Sequence, residues 1–299
     1  MKGFKSTRQV TKAMELVSAS KMRRAVQNAQ MLRRYALTAW SVLQKVAAVH
    51  SGQHALLTVR PVHRILAVVF TSDRGLCGSF NSNILKALTQ YVRGMQNLGP
   101  DIEVDFVAVG RKGQVAASRL GGKLLAAFPA LSNHPAFRDA LPISKLAIDS
   151  FMDGTYDRVV LVYSDFISAL VQEPTVKPLL PFSETELKSM IESMFPDRRT
   201  TKEEEAAMRS LPPVTEYMFE PSAGEVLDRI LPRLTELQIY QAALETAASE
   251  HSARMVAMRN ASDNAADIID DLTLTYNQSR QSIITAELAE LSASKAALD

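Results

Sequence analysis

The chain has 299 residues, enough for one or two domains with a buried core, and its 46% hydrophobic share is that of a globular protein. One cysteine excludes an internal disulfide, no apolar run reaches the roughly 18 residues of a membrane-crossing helix, and the opening MKGFKSTRQVTKAM lacks the apolar centre of a signal peptide. The net charge of +2 hides an asymmetry: Lys2, Lys5, Arg8, Lys12, Lys21, Arg23, Arg24, Arg33, Arg34 and Lys45 stand against Glu15 alone in the first fifty residues, while the last quarter is acidic.

From Thr7 to about Val49 good helix formers dominate and proline is absent. Met22, Ala25, Ala29, Leu32, Ala36, Ala39, Leu43 and Val46 recur at alternating steps of three and four, the seam of a coiled coil. Val10, Met14 and Val17 keep that spacing but slip by one residue around VSASK, where small side chains let another helix come close. The helix is expected to end by HSGQH.

The middle of the chain has a different texture. Short β-rich runs occur at RILAVVF, VDFVAVG, YDRVVLVYSDF, TVKPLLPF and EYMFEP, with helical patterns SNILKALTQYVRGMQ and SKLAIDSFMDG between the first three. That alternation predicts a three-layer α/β domain with a partly parallel sheet, the last two runs lying antiparallel at its edge. Ser183 to Pro213 reads as a charged surface insertion, with possible capping boxes at Ser183 with Glu186 and Thr201 with Glu204.

After Pro221 a second helical stretch runs to the end, interrupted by Pro232. Its seam is His251, Met255, Met258, Ser262, Ala265, Ile269, Leu272, Tyr276, Ser279 and Ile283, weakly apolar. Helices of about 43 and about 65 residues span on the order of 65 Å and nearly 100 Å, more than the remaining residues could bury. The two ends must therefore pair. The expected fold is α/β: a long antiparallel coiled coil of N- and C-terminal helices (1–52 and 223–299) plus a central Rossmann-like α/β domain (64–222) with a partly parallel sheet.

Candidate chemistry centres on TSDRGLCGSFN, Thr71 to Asn81, where a strand meets a tight turn and a helix start. A reactive Cys77 would need a base, and none of the five histidines sits in a context that suggests one. GLCGSF has no lysine after its second glycine, so it is not a Walker-type phosphate loop, and the GxGxxG fingerprint is missing. A packed turn, anion contact at the helix start and catalysis remain as readings of this loop, in that order. No His, Cys or acid pair has metal-ligand spacing, so neither a metal nor another cofactor is expected. The basic helix carries no aromatic residues along its seam, so an acidic protein partner fits it better than nucleic acid.

Three segments, TRQVTKAMELVSASKMRRAV, SDRGLCGSFN and ASEHSARMVAMRNASDNAADIIDDLTLTYNQSRQSIITAELAEL, together resemble the gamma subunit of F-type ATP synthases, in order and over nearly the whole chain. The resemblance implies a central-stalk rotor that does no bond chemistry itself. It would turn inside three alpha and three beta subunits on a foot shared with the epsilon subunit and the membrane c-ring, coupling proton flow to ATP synthesis or hydrolysis on the beta subunits. It would thus sit peripherally on the cytoplasmic side of a cell (inner) membrane.

The same resemblance implies that Lys21, Met22 and Arg23 lie near an acidic lever loop of a beta subunit. It implies further that Arg280 and Gln281 bond a beta-subunit catch loop, and that Glu250 and Arg254 serve energy coupling. Family members usually carry about ten more basic residues before the equivalent of Thr7, so this chain looks short at its start. Photosynthetic relatives have a regulatory insertion near Ser183 to Pro213, sometimes with a redox dithiol, which a chain with one cysteine cannot form. The alternative is an independent α/β enzyme with a helical dimerisation arm.

Overall fold

The computed structural model describes residues 2–49, 54–99, 101–131, 135–182 and 222–296, with side chains of the first helix described to residue 32 and of the last to residue 289. The chain falls into two compact units, Met1–Ala19 with Arg254–Asp299, and Ser20–Ala253. The first helix, α1 (Lys2–Val49), and the last, here named α5 (Ala223–Ala296), each contribute to both.

The larger unit is built on a five-stranded sheet in the order β3-β2-β1-β4-β5. The strands are β1 (Arg64–Phe70), β2 (Glu103–Val109), β3 (Leu124–Phe128), β4 (Arg158–Phe166) and β5 (Gln172–Leu180). β1 pairs in parallel with β2 and β4, β2 pairs in parallel with β3, and β5 closes the edge antiparallel to β4. RILAVVF, VDFVAVG and the run through YSDF are continuous apolar stretches because the sheet is covered on both faces. The antiparallel edge expected for TVKPLLPF is present, and that strand tolerates Pro174 and Pro178 because an edge strand spares half its N–H groups from pairing.

On one face Leu66, Val68 and Phe70 of β1 meet Ile143, Ala147 and Phe151 of α4 (Phe137–Met152) and Leu227, Leu231 and Leu234 of α5. On the other Ile65, Ala67 and Val69 meet Phe80, Ile84, Leu88 and Val92 of α2 (Phe80–Leu98). The apolar positions of α2 fall at steps of four, the stripe of an amphipathic helix. Leu56, in the short 3-10 turn Ala55–Leu57, seats the connection into β1 in the first of these cores.

Three differences from the sequence reading have physical causes. α4 begins at Phe137 and runs through Pro142, which denies the Arg138 carbonyl its helical partner, because the buried stripe of Ala140, Ile143, Ala147 and Phe151 outweighs that loss. Asp139 accepts the Ala136 N–H at 3.3 Å to hold the first turn. α3 (Arg111–Ala117) and β3 were not anticipated: a seven-residue helix and a five-residue, half-buried edge strand leave no periodic signal. EYMFEP, the capping boxes and the rest of the insertion lie outside the described residues, as do the side chains of Ala36, Ala39, Leu43 and Val46.

The smaller unit pairs α1 and α5. Met258, Ser262, Ala265 and Ile269 are buried along α5, on the expected seam. On α1 the seam does not slip: Thr11 and Ser18 are buried, while Val10 and Val17 are each 56% exposed. With Ala25 in the larger unit these buried positions form an unbroken step of seven, so the expected phase shift is absent. Small polar side chains can hold a seam position because they let two backbones approach, and Thr11 satisfies its own hydroxyl by donating to the Thr7 carbonyl at 3.0 Å.

Candidate functional site

The loop after β1 is a packed turn. Ser72 N–H donates to Asn81 Oδ1 at 3.0 Å, and Asn81 Nδ2 donates to the Cys77 sulfur at 3.2 Å, so the first turn of α2 is tied back to the end of β1. Cys77 is 2% exposed and packs with Phe80 and Ile84. Asp73 accepts backbone N–H groups from Arg111 at 3.0 Å and Ala130 at 3.2 Å, joining the loops after β2 and β3 to this turn. Its hydrogen-bonding capacity is spent inside the fold, which favours the packed-turn reading over anion contact. Gly78 has φ +55 and Leu76, unusually for a leucine, φ 62, leaving the Leu76 side chain 63% exposed.

The residues singled out for partner contact divide between the two units. In the larger one, Lys21 and Met22 are half-buried and Arg23 exposed on α1. They stand a turn before Ala25 and Val26, which pack with Ala247 and Ala248 of α5 and Phe166 of β4. Glu250 is only 3% exposed, so its carboxyl belongs to this chain's own packing rather than to a free surface. In the smaller unit Arg254 is half-buried, and Arg280 and Gln281 lie fully on the surface of α5. Around these two, Tyr276, Ile283 and Leu288 are 58%, 58% and 59% exposed, so the apolar seam of α5 is covered through Ile269 and bare beyond Tyr276.

Charge follows the same helices. Lys2, Lys5, Arg8 and Lys12 project from α1, and Asp263, Asp267, Asp270 and Asp271 from α5, all exposed. Lys12 bonds Glu15 at 2.9 Å on its own helix.

A polar cluster that no sequence motif marks, with Tyr163, Gln241 and Glu245 buried and Asp165 and Lys177 part-exposed, lies where α5 crosses the β4–β5 hairpin. Lys177 Nζ pairs with Asp165 Oδ2 at 3.1 Å and lies 5.3 Å from the Tyr163 ring centre. Gln241 Nε2 donates to Glu245 Oε1 at 2.7 Å. Burial first, then Asp165, pushes the Glu245 carboxyl up to about 8, against the pull of Lys177 and Gln241. Burial, then Glu245 and Asp165, raises the Tyr163 hydroxyl well above its ordinary range. Near the starts of the parallel strands Asp105 of β2 accepts from Tyr156 Oη and Lys123 N–H, both at 2.8 Å; burial and the Tyr156 bond raise Tyr156 likewise.

Among the described residues no helix is long and apolar enough to cross a membrane, and no group of three His, Cys, Asp or Glu side chains could hold a metal ion. The candidate residues thus lie in packed turns and on helix faces.

The ATP synthase family model matches residues 1–298. The ATP synthase gamma chain of Legionella pneumophila (strain Corby) is 38% identical over 293 residues, covering 98% of this chain and 94% of that protein. That of Roseiflexus sp. (strain RS-1) is 42% identical over 301 residues, covering 100% and 96%. Among solved structures, the central stalk and c-ring of the Tetrahymena thermophila mitochondrial ATP synthase includes a chain 25% identical with a TM-score of 0.59, covering 85% of this chain and 99% of that one. A rotor chain of the Euglena gracilis mitochondrial ATP synthase shares the fold at 20% identity and a TM-score of 0.57, covering 95% of each. With agreement running from end to end in sequence and in fold, the chain belongs to the ATP synthase gamma chain family.

Proposed function

We propose that the chain is the central-stalk rotor of an ATP synthase, with residues 1–52 and 223–299 as the rod and 64–222 as the foot. It couples proton flow through a membrane c-ring to ATP synthesis or hydrolysis on the beta subunits, which supply the catalytic residues. The foot meets the epsilon subunit and the c-ring, and the rod turns inside three alpha and three beta subunits. Membrane attachment is then indirect, on the cytoplasmic side of a bacterial inner membrane. The observation that carries this reading is the family match along the whole chain. The independent-enzyme alternative is not favoured, because that match includes both helical ends.

The helix surfaces suit rotation. Exposed cations on α1 can pair in turn with acidic loops of each beta subunit, and an exposed pair contributes only about 0.2–1 kcal/mol. Contacts that weak can be exchanged at every step. In this reading Lys21, Met22 and Arg23 face the acidic lever loop, Arg280 and Gln281 bond the catch loop, and Glu250 and Arg254 serve energy coupling.

Disulfide trapping tests the placement. In a Cys77→Ser background, which keeps most ATP synthesis because the sulfur only fills a turn, Met22→Cys and Gln281→Cys are each paired with cysteines along the beta-subunit loops. Oxidation should crosslink the chains and stop turnover, and thiol should restore it. Absence of a crosslink at every pairing would overturn the placement, and ATP hydrolysis by the purified chain alone would overturn the non-catalytic role.

A further inference from the structure

We propose that Glu245 of α5, Asp165 of β4 and Lys177 of β5 form a proton-operated clasp that fastens α5 to the β4–β5 hairpin. It is closed while the two carboxyls share one proton and weakened when that proton leaves.

Three ionisable groups meet at the edge of the core, where the side chains of Asp165 and Lys177 keep 18% and 27% of their surface in water. Glu245 is 8% exposed, and its Oε1 is occupied by the Gln241 amide. Its Oε2 is buried without a hydrogen bond among the described residues, and the Tyr163 hydroxyl next to it is a neutral group. Beside it stands Asp165, already held by Lys177. Two carboxylates facing one ammonium would leave an uncompensated negative charge on the buried Glu245, which proteins avoid by taking up a proton. One proton brings the cluster from a net charge of minus one to zero and turns the Glu245 carboxyl into a donor toward Asp165. The proton resides on Glu245, the more deeply buried acid and the one without a cation of its own.

Among the described residues, the titratable groups beside Glu245 are Asp165, Lys177 and the Tyr163 hydroxyl, and of these only Lys177 is a cation. β4 presents Tyr163 and Asp165, β5 presents Lys177, and α5 itself presents Gln241. From α1, Ala25 and Val26 pack a turn further along. The same stretch of α5 is bonded to the hairpin beyond the cluster: Ser249 Oγ donates to the Ser164 carbonyl at 3.1 Å and Ser252 Oγ to the Ala169 carbonyl at 2.5 Å. Those bonds hold the side of the contact that the carboxyls would otherwise push apart.

The sign follows from the shift. Glu245 ionises at about 8 when the clasp is closed and at its ordinary value of 4.5 when opened to water. Closing therefore takes up a proton between those limits. The stabilisation is fully present below the ordinary value, is lost as pH rises through the window, and is constant above it. Within the window the opening constant rises about tenfold per pH unit.

Hydrogen exchange on the full chain measures this, following amides of α5 around 241–253 and of β5 and correcting for intrinsic exchange. In the wild type, protection should fall about tenfold per pH unit from about pH 6 to about pH 8 and then level. Glu245→Gln, whose amide donates as the acid does, should keep its protection across the range. Flat protection in the wild type, or the same slope in Glu245→Gln, would overturn the clasp. Should that variant fail to fold, carboxyl carbon NMR of the wild type decides: a Glu245 midpoint near 8 supports the proposal, and one near the ordinary value sinks it.

Discussion

Gly110 bears the heaviest backbone constraint in the loops at the carboxyl end of the sheet. Its φ is +103, and a Cβ there would stand 2.2 Å from the Thr71 carbonyl oxygen, which is backbone and cannot step aside. Gly75, a few residues from the same turn, has open space where its Cβ would go. Gly110→Ala should therefore cost about 2–4 kcal/mol, combining the strained φ with overpacking. Gly75→Ala should cost under about 1 kcal/mol. Urea midpoints of the two variants check this; equal midpoints would mean the loop after β2 rearranges freely. Single residues also mark what the sequence could and could not show of the site. The Cys77 turn was readable because strand, glycines and helix start are contiguous. The Glu245 cluster was not, because an acid ending one strand, a lysine within another and a glutamate on a distant helix meet only through packing.

At the scale of elements, β1, β2 and β4 were legible because their neighbours bury both faces and composition alone betrays them, and β5 because its run TVKPLL is β-rich although it lies at the edge. β3 escaped because a five-residue, half-buried edge strand of two leucines, two alanines and a phenylalanine carries little of either signature. The α1 seam escaped for the opposite reason: Val10 and Val17 looked like core and are surface, while Thr11 and Ser18 looked like surface and are seam. Hydrophobicity misleads where helices come close enough that only small side chains fit. Replacing Ser18 with leucine should then destabilise the helix pair by about 1–3 kcal/mol through overpacking. Val17→Ser should stay within about 0.5 kcal/mol, as exposed substitutions usually do. Thermal unfolding followed by circular dichroism distinguishes them, and the reverse ranking would restore the slipped seam that the valines suggested.

For the whole molecule, the informative feature is apolar surface left uncovered by the chain's own folding. Leu274, Tyr276, Ile283, Ile284 and Leu288 are 63%, 58%, 58%, 45% and 59% exposed along one helix, although Met258, Ala265 and Ile269 of the same helix are buried. Exposed apolar residues gathered on one segment mark a surface made for a partner, and fully burying one such side chain contributes about 1.5–3 kcal/mol. On the rotor reading the alpha and beta subunits provide the cover, and the loss from a charge at these positions appears only on assembly. Ile283→Asp combined with Leu288→Asp should leave the melting temperature of the isolated chain within a few degrees of wild type. In reconstitution with alpha and beta subunits the double variant should bind at least about tenfold more weakly, since burying even one unpaired carboxylate costs more than the 1.4 kcal/mol that a factor of ten requires. Sedimentation of the reconstituted complex reads the second effect and calorimetry the first. Unchanged assembly would show that this end of α5 turns in open solvent, so the torque would have to pass through other parts of the chain.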